Sequence, residues 1–224
     1  MNRDKAIIDD LNRFRVMSRN DIMDLYFMNL KNPRQSANSV LKRLHRDGKI
    51  QRSTDFNPYV YFGPDISMKK NSAKIGHFLA IVEVYKEILQ HGKVDTFQVE
   101  PKYGSKGTAE PDIFCIFRKT PFFIEVQKTV YSEKQINEKL DRYVDLYESK
   151  IIYSEPWQPL EKKIFPHVLI LSDQRFPLDG KYPFKVIQAQ TFTQFLQSLK
   201  PKDSKTPEPP KIKSSNGSIK VNLG

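Results

Sequence analysis

The stretch "EPDIFCIFRKTPFFIEVQKT", residues 110–129, constrains this chain more than any other. It contains two apolar, β-prone runs, which predict two neighbouring buried strands. Yet Asp112 opens the first run and Glu125 interrupts the second. An unpaired carboxylate in a core strand costs several kcal/mol, so each acid needs a partner. Side chains alternate along a strand, so Glu125 and Gln127 point one way while Ile124, Val126 and Lys128 point the other. If the two runs pair as a hairpin, Asp112 and Glu125 converge at its open end, about 3–6 Å apart. Two carboxylates and the amide oxygen of Gln127 suit a hard divalent ion, Mg²⁺ or Mn²⁺, with Asp112 and Glu125 as the metal ligands. Such an ion acidifies a water and steadies the charge of a phosphodiester in transition. The alternative makes both acids structural residues at strand ends.

The surrounding pattern predicts an α/β sandwich with a central mixed sheet, over residues 75–199. "GHFLAIVEVYKEILQHG" reads as an amphipathic helix, "DTFQVEP", "DIFCIF" and "FFIEVQ" as strands, and "SEKQINEKLDRYVDLYES" as a polar-faced helix. "HVLILS" and "FKVIQAQ" are further strands, and "FTQFLQSL" is a closing helix. Glu83, beside apolar Ile81, Val84 and Ile88, is a further candidate carboxylate, with Glu87 one turn on as its alternative. Lys139 and Tyr143 share one helix face at i,i+4 spacing, where Lys139 could reach a phosphate and Tyr143 orient it. The plainer reading leaves Lys139 on the surface and Tyr143 in the core.

Residues 1–63 have a different pattern: three short helices, then two β-prone runs around Asp55, Asn57 and Pro58. Ser18 is the expected N-cap of the second helix, and Gly48 the stop of the third. This order predicts a winged helix-turn-helix. Its third helix carries Arg34, Ser36, Asn38, Ser39, Lys42, Arg43 and His45 near or on its polar side, and the wing adds Arg52. Asn and Arg there suit base edges of double-stranded DNA, while cations meet phosphates. A solvated face or a protein-binding winged helix is the alternative. Residues 64–74 read as a linker and 200–224 as a disordered basic tail rich in Pro, Lys and Ser. The net charge of +11 is concentrated at the two ends of the chain, which suggests a polyanionic partner. The single cysteine, Cys115, and the lack of a long apolar stretch predict a cytoplasmic protein with no membrane partner.

Helix, then "PD", then "E-x-Q" resembles the PD-(D/E)xK nuclease superfamily, with Asp112, Glu125 and Gln127 at the three motif positions. The series winged helix, "HFLAIVEV", "PDIFCIF", "FFIEVQKT" and "EKLDRY" is similar to the replication-relaxation family of Gram-positive plasmids and mobile elements, over residues 5–195. The resemblance implies a DNA-binding accessory protein for replication or mobilisation of such an element, with a nuclease-like domain used to grip DNA, to dimerise, or to dock a replication initiator or relaxase. The superfamily usually places lysine where this chain has Gln127; in some relatives that lysine moves to the following helix, where Lys139 stands. Two other readings stay open. One is a metal-dependent endonuclease with Glu83, Asp112, Glu125, Gln127 and Lys139 as its catalytic set, and the other is a transcriptional repressor.

Overall fold

The computed structural model describes residues 2–105, 107–128, 132–178 and 180–200. The expected tail beyond Lys200 lies outside the described residues. The chain is a mixed α+β protein with six helices and two sheets among those residues, and the larger sheet is mixed. None of these helices is long and apolar enough to cross a membrane.

The first sixty-odd residues form α1 (Arg3–Phe14), β1 (Val16–Ser18), α2 (Arg19–Tyr26), α3 (Pro33–Arg46), β2 (Gln51–Ser53) and β3 (Val60–Phe62). Local chemistry fixes their ends. The Asn2 side chain accepts the Asp4 N–H at the start of α1. Ser18 and Asp21 form a reciprocal capping box on α2. Pro33 stands in the first turn of α3, where its missing N–H costs nothing. Gly48 follows α3 with φ +66°, a left-handed turn that favours glycine. Strand β3 lies between β1 and β2, antiparallel to both.

The remaining elements are α4 (Lys74–Gln90), β4 (Val94–Val99), β5 (Ile113–Phe117), β6 (Thr120–Gln127), α5 (Glu133–Ser149), β7 (His167–Ser172), β8 (Val186–Ala189) and α6 (Phe192–Ser198). The sheet order is β4-β5-β6-β7-β8, antiparallel from β4 to β6 and parallel from β6 to β8. Phe117 pairs with Thr120, so Arg118 and Lys119 alone make the β5–β6 turn, both with positive φ as a type I′ turn requires. Alternation sorts the sheet into two faces. Ile113, Cys115, Ile124, Val126, Leu169 and Leu171 pack towards α4 and α6. Phe114, Phe123, Val168 and Ile170 pack towards Ile136, Leu140 and Tyr143 of α5.

Residues 63–73 contain no helix or strand, but they do not divide the hydrophobic core. The expected linker connects two parts of one packed body, and α4 begins at Lys74 inside it. Helix α4 packs on α1, α2 and β1 on one side and on β4, β6 and α6 on the other. Phe14 of α1 is fully buried, with its ring 5.1 Å from that of Tyr85 on α4 and 5.8 Å from that of Phe97 on β4. An ionic hub reinforces this junction. Lys86 Nζ lies 2.9 Å from Asp21, 2.8 Å from Asp24 and 2.8 Å from Glu83. Burial pushes the Asp21 carboxyl up, but the hydrogen bonds from Ser18 and Lys86 outweigh it and hold the group below its ordinary 3.8.

Removing the ammonium would leave Asp21 buried without a cation. Lys86→Met should therefore lower unfolding stability by about 2–4 kcal/mol at neutral pH, measured as a shift of the urea midpoint. A depressed carboxyl pKa contributes stability above its unfolded value and loses it as pH falls through the folded one. The gap between wild type and variant should thus close below pH 3.8. An unchanged midpoint at pH 7 would show that the hub does not hold the junction.

Candidate functional site

The β5–β6 register pairs Ile113 with Ile124, so one further step places Asp112 opposite Glu125. Both acids stand at the open end of the hairpin, and each has partners. Glu125 is 1% exposed. Its Oε1 accepts the Tyr143 hydroxyl at 2.5 Å, and its Oε2 is ion-paired with Lys139 Nζ. Asp112 Oδ2 accepts the Val126 N–H at 2.7 Å, and Oδ1 lies 3.5 Å from His77 Nε2. Helix α5 supplies Lys139 and Tyr143 one turn apart, on the face that also buries Ile136 and Leu140. Burial, with Asp112 beside it, pushes the Glu125 carboxyl up to about 8 against the opposing pull of Lys139 and Tyr143. Burial and the neighbouring Glu125 raise the Tyr143 phenol well above its ordinary value.

Asp112, Gln127 and Lys139 line one cleft of about 280 Å³, together with His77 of α4. Gln127 ends β6 almost fully buried. Glu83 corrects the expectation of a core-bordering carboxylate at this site: it is exposed and bonded to Lys86, in the hub against α2. Its alternative, Glu87, is committed elsewhere, since its carboxylate accepts the backbone N–H groups of Phe192 and Thr193 at the start of α6. Two residues absent from the sequence reading join the site. His77 stands between Asp112 and Glu100, whose other oxygen is 2.8 Å from Arg15. A polar residue beside apolar Ile75, Phe78 and Leu79 was the available signal for His77.

Lys139 places a cation on Glu125 Oε2, and Asp112 Oδ2 accepts the Val126 N–H. No group of three or more His, Cys, Asp or Glu among the described residues is arranged to hold a metal. A Mg²⁺ or Mn²⁺ ion would have to displace the ammonium before it could use both acids.

A second site lies in the first sixty residues. Arg34, Asn38 and Lys42 recur at i, i+4 and i+8 on α3 and line one side of a cleft of about 390 Å³. Arg19 from the start of α2 and Arg52 from β2 line the rest, with the Arg52 guanidinium 5.3 Å from the centre of the exposed Tyr59 ring. Ser39 is exposed in an adjoining hollow with Arg34 and Asn38, whereas Ser36 is half-buried. Arg43 is a correction. Successive helix residues point about 100° apart, so Arg43 turns away from Lys42 and forms a bidentate pair with Asp4 of α1 at 2.9 and 2.8 Å. His45 is also half-buried, its Nδ1 3.3 Å from the Ile50 carbonyl oxygen. Arg19 and Tyr59 were missed because only the folded chain brings them beside α3.

No family model, curated protein or solved structure significantly matches this chain.

The raised Glu125 pKa has a consequence for stability. A carboxyl whose folded pKa exceeds its unfolded value contributes stability below the unfolded pKa and loses it as pH rises through the folded one. Wild-type stability should therefore fall between pH 4.5 and about pH 8 from this group. Glu125→Gln should flatten that slope in urea titrations across the range. An equal slope in both proteins would contradict the assignment.

Proposed function

We propose that this protein binds duplex DNA through the cleft between α3 and the β2–β3 hairpin. One observation carries the reading. Arg19, Arg34, Lys42 and Arg52 converge on a cleft that also presents Asn38, and among the described residues no carboxylate lines it. Arg and Lys on an exposed helix suit phosphates, and Asn suits an adenine edge. The order α1-β1-α2-α3-β2-β3, with β3 between β1 and β2, supports a winged helix-turn-helix with α3 as its recognition helix.

The larger sheet is read as a nuclease-like domain because Asp112, Glu125 and Gln127 gather at one end of the β5–β6 hairpin. Its role in this proposal is to bind DNA or a partner rather than to cut, since Tyr143 and Lys139 already occupy the Glu125 carboxylate. The resemblance to the replication-relaxation family supports an accessory role in replication or mobilisation, with an initiator, a relaxase or a second copy as the docking partner. Supercoiled plasmid incubated with the protein and Mn²⁺ should stay supercoiled, and nicking that Glu125→Gln abolishes would favour the endonuclease reading.

Duplex affinity of the full chain should fall steeply as salt rises, through counterion release. Lys42→Ala and Arg34→Ala should each weaken binding and reduce the salt slope by about one unit per lost phosphate contact. Arg43→Ala should leave affinity unchanged, because its guanidinium is held by Asp4. Fluorescence anisotropy on a labelled duplex measures all three. Loss of binding in Arg43→Ala alone would place the interface on another face.

A further inference from the structure

The side of the cationic cleft opposite α3 carries two aromatic rings, Tyr59 and Tyr61. Alternation places both on one side of β3, with Val60 and Phe62 on the other. Tyr61 is buried, whereas Tyr59 is 45% exposed. The Tyr59 backbone is fixed, because its carbonyl oxygen accepts the Arg19 N–H at 2.9 Å. Arg52 pairs with Tyr61 across β2 and β3, and its guanidinium lies 5.3 Å from the centre of the Tyr59 ring. A large exposed ring is thus held at a set place among the cations of the cleft.

The face of such a ring has no counterpart in a fully paired duplex. That duplex presents phosphates and base edges, and stacking covers its base faces. An aromatic side chain beside a cationic track binds a base whose face is bare, whatever the base. Bare faces occur where a strand leaves the duplex. The cleft volume of about 390 Å³ also has the scale of a small-molecule site, which suits one nucleotide.

We infer that this cleft takes the junction between duplex and single-stranded DNA, with the first unpaired base stacked on Tyr59. The inference rests on the duplex reading above and specifies its substrate. Arg34, Asn38 and Lys42 hold the paired part from α3, and Arg19 and Arg52 meet phosphates beside the unpaired base. The plainer role for Tyr59 is a hydroxyl bonded to a phosphate of an ordinary duplex. The two roles differ in what they require: stacking needs the ring and a base, and the plainer role needs only the hydroxyl.

Fluorescence anisotropy of the full chain can compare a blunt duplex, the same duplex with a short overhang of either polarity, and each overhang with an abasic sugar as its first nucleotide. The abasic form keeps every phosphate and removes one base face. In at least one polarity the intact overhang should bind about fivefold or more tighter than its abasic form. Tyr59→Ala should abolish that preference, and Tyr59→Phe should keep it. Equal binding of intact and abasic overhangs, by a protein that binds the blunt duplex, overturns the junction and leaves the duplex reading standing. Absence of binding to every ligand overturns both. A preference that survives Tyr59→Ala, or one that Tyr59→Phe also loses, overturns stacking on this ring. If Tyr59→Ala does not fold, the abasic comparison in wild type and Tyr59→Phe decides by the same criteria.

Discussion

Helix α4 must be enclosed on more than one side. Ile75, Phe78, Ala80, Ile81, Val82, Val84 and Ile88 are all buried, and they do not fall on one helical stripe. A helix with so broad an apolar surface is stable only when covered from several directions. The sheet covers one part, and α1, α2 and β1 cover another. The first sixty residues are therefore fused to the sheet through α4, and the aromatic contact of Phe14, Tyr85 and Phe97 fixes the junction. Lys86 adds direction to this contact, since three carboxylates from α2 and α4 converge on its ammonium. Such hubs give less net stability than apolar packing, but removing one member is costly. The same helix also positions His77 at the carboxylate site.

The carboxylate site follows a related constraint. Glu125 is almost fully desolvated in the sheet, and burial outweighs its partners in raising its carboxyl to about 8. Tyr143 and Lys139 oppose that rise from one face of α5. Asp112, at the strand end, is satisfied instead by the backbone of β6 and by His77. The hairpin thus brings two acids together and compensates each internally. Each acid is held by groups of the chain itself, Glu125 from α5 and Asp112 from β6 and α4.

Patterns carried within one element were legible in the sequence. The Ser18 cap, the Gly48 stop, the mixed sheet and the i,i+4 pairing of Lys139 and Tyr143 all depend on local spacing. Hairpin pairing of β5 and β6 was also readable, although Arg118 and Lys119 lack the Gly or Asn that usually announces a two-residue turn. Features set by tertiary packing were not. Glu83 borders apolar residues in sequence, yet α2 draws it into the Lys86 hub. Arg43 adjoins Lys42 but turns towards Asp4, and the distance to α1 is invisible from α3 alone. Glu100 reaches His77 and Arg15 from a backbone position with φ +45°, which no local motif foretells. The linker was legible as an irregular segment, but composition carries no information on whether the flanking cores touch.

The most direct measurement of DNA recognition is amide chemical-shift mapping of the full chain with a short duplex, at low and at raised salt. Shifts should centre on Arg19, Arg34, Asn38, Lys42, Arg52 and Tyr59 and diminish together as salt rises. Unperturbed amides along α3 and the β2–β3 hairpin at low salt, with shifts elsewhere or nowhere, would contradict duplex binding by this cleft.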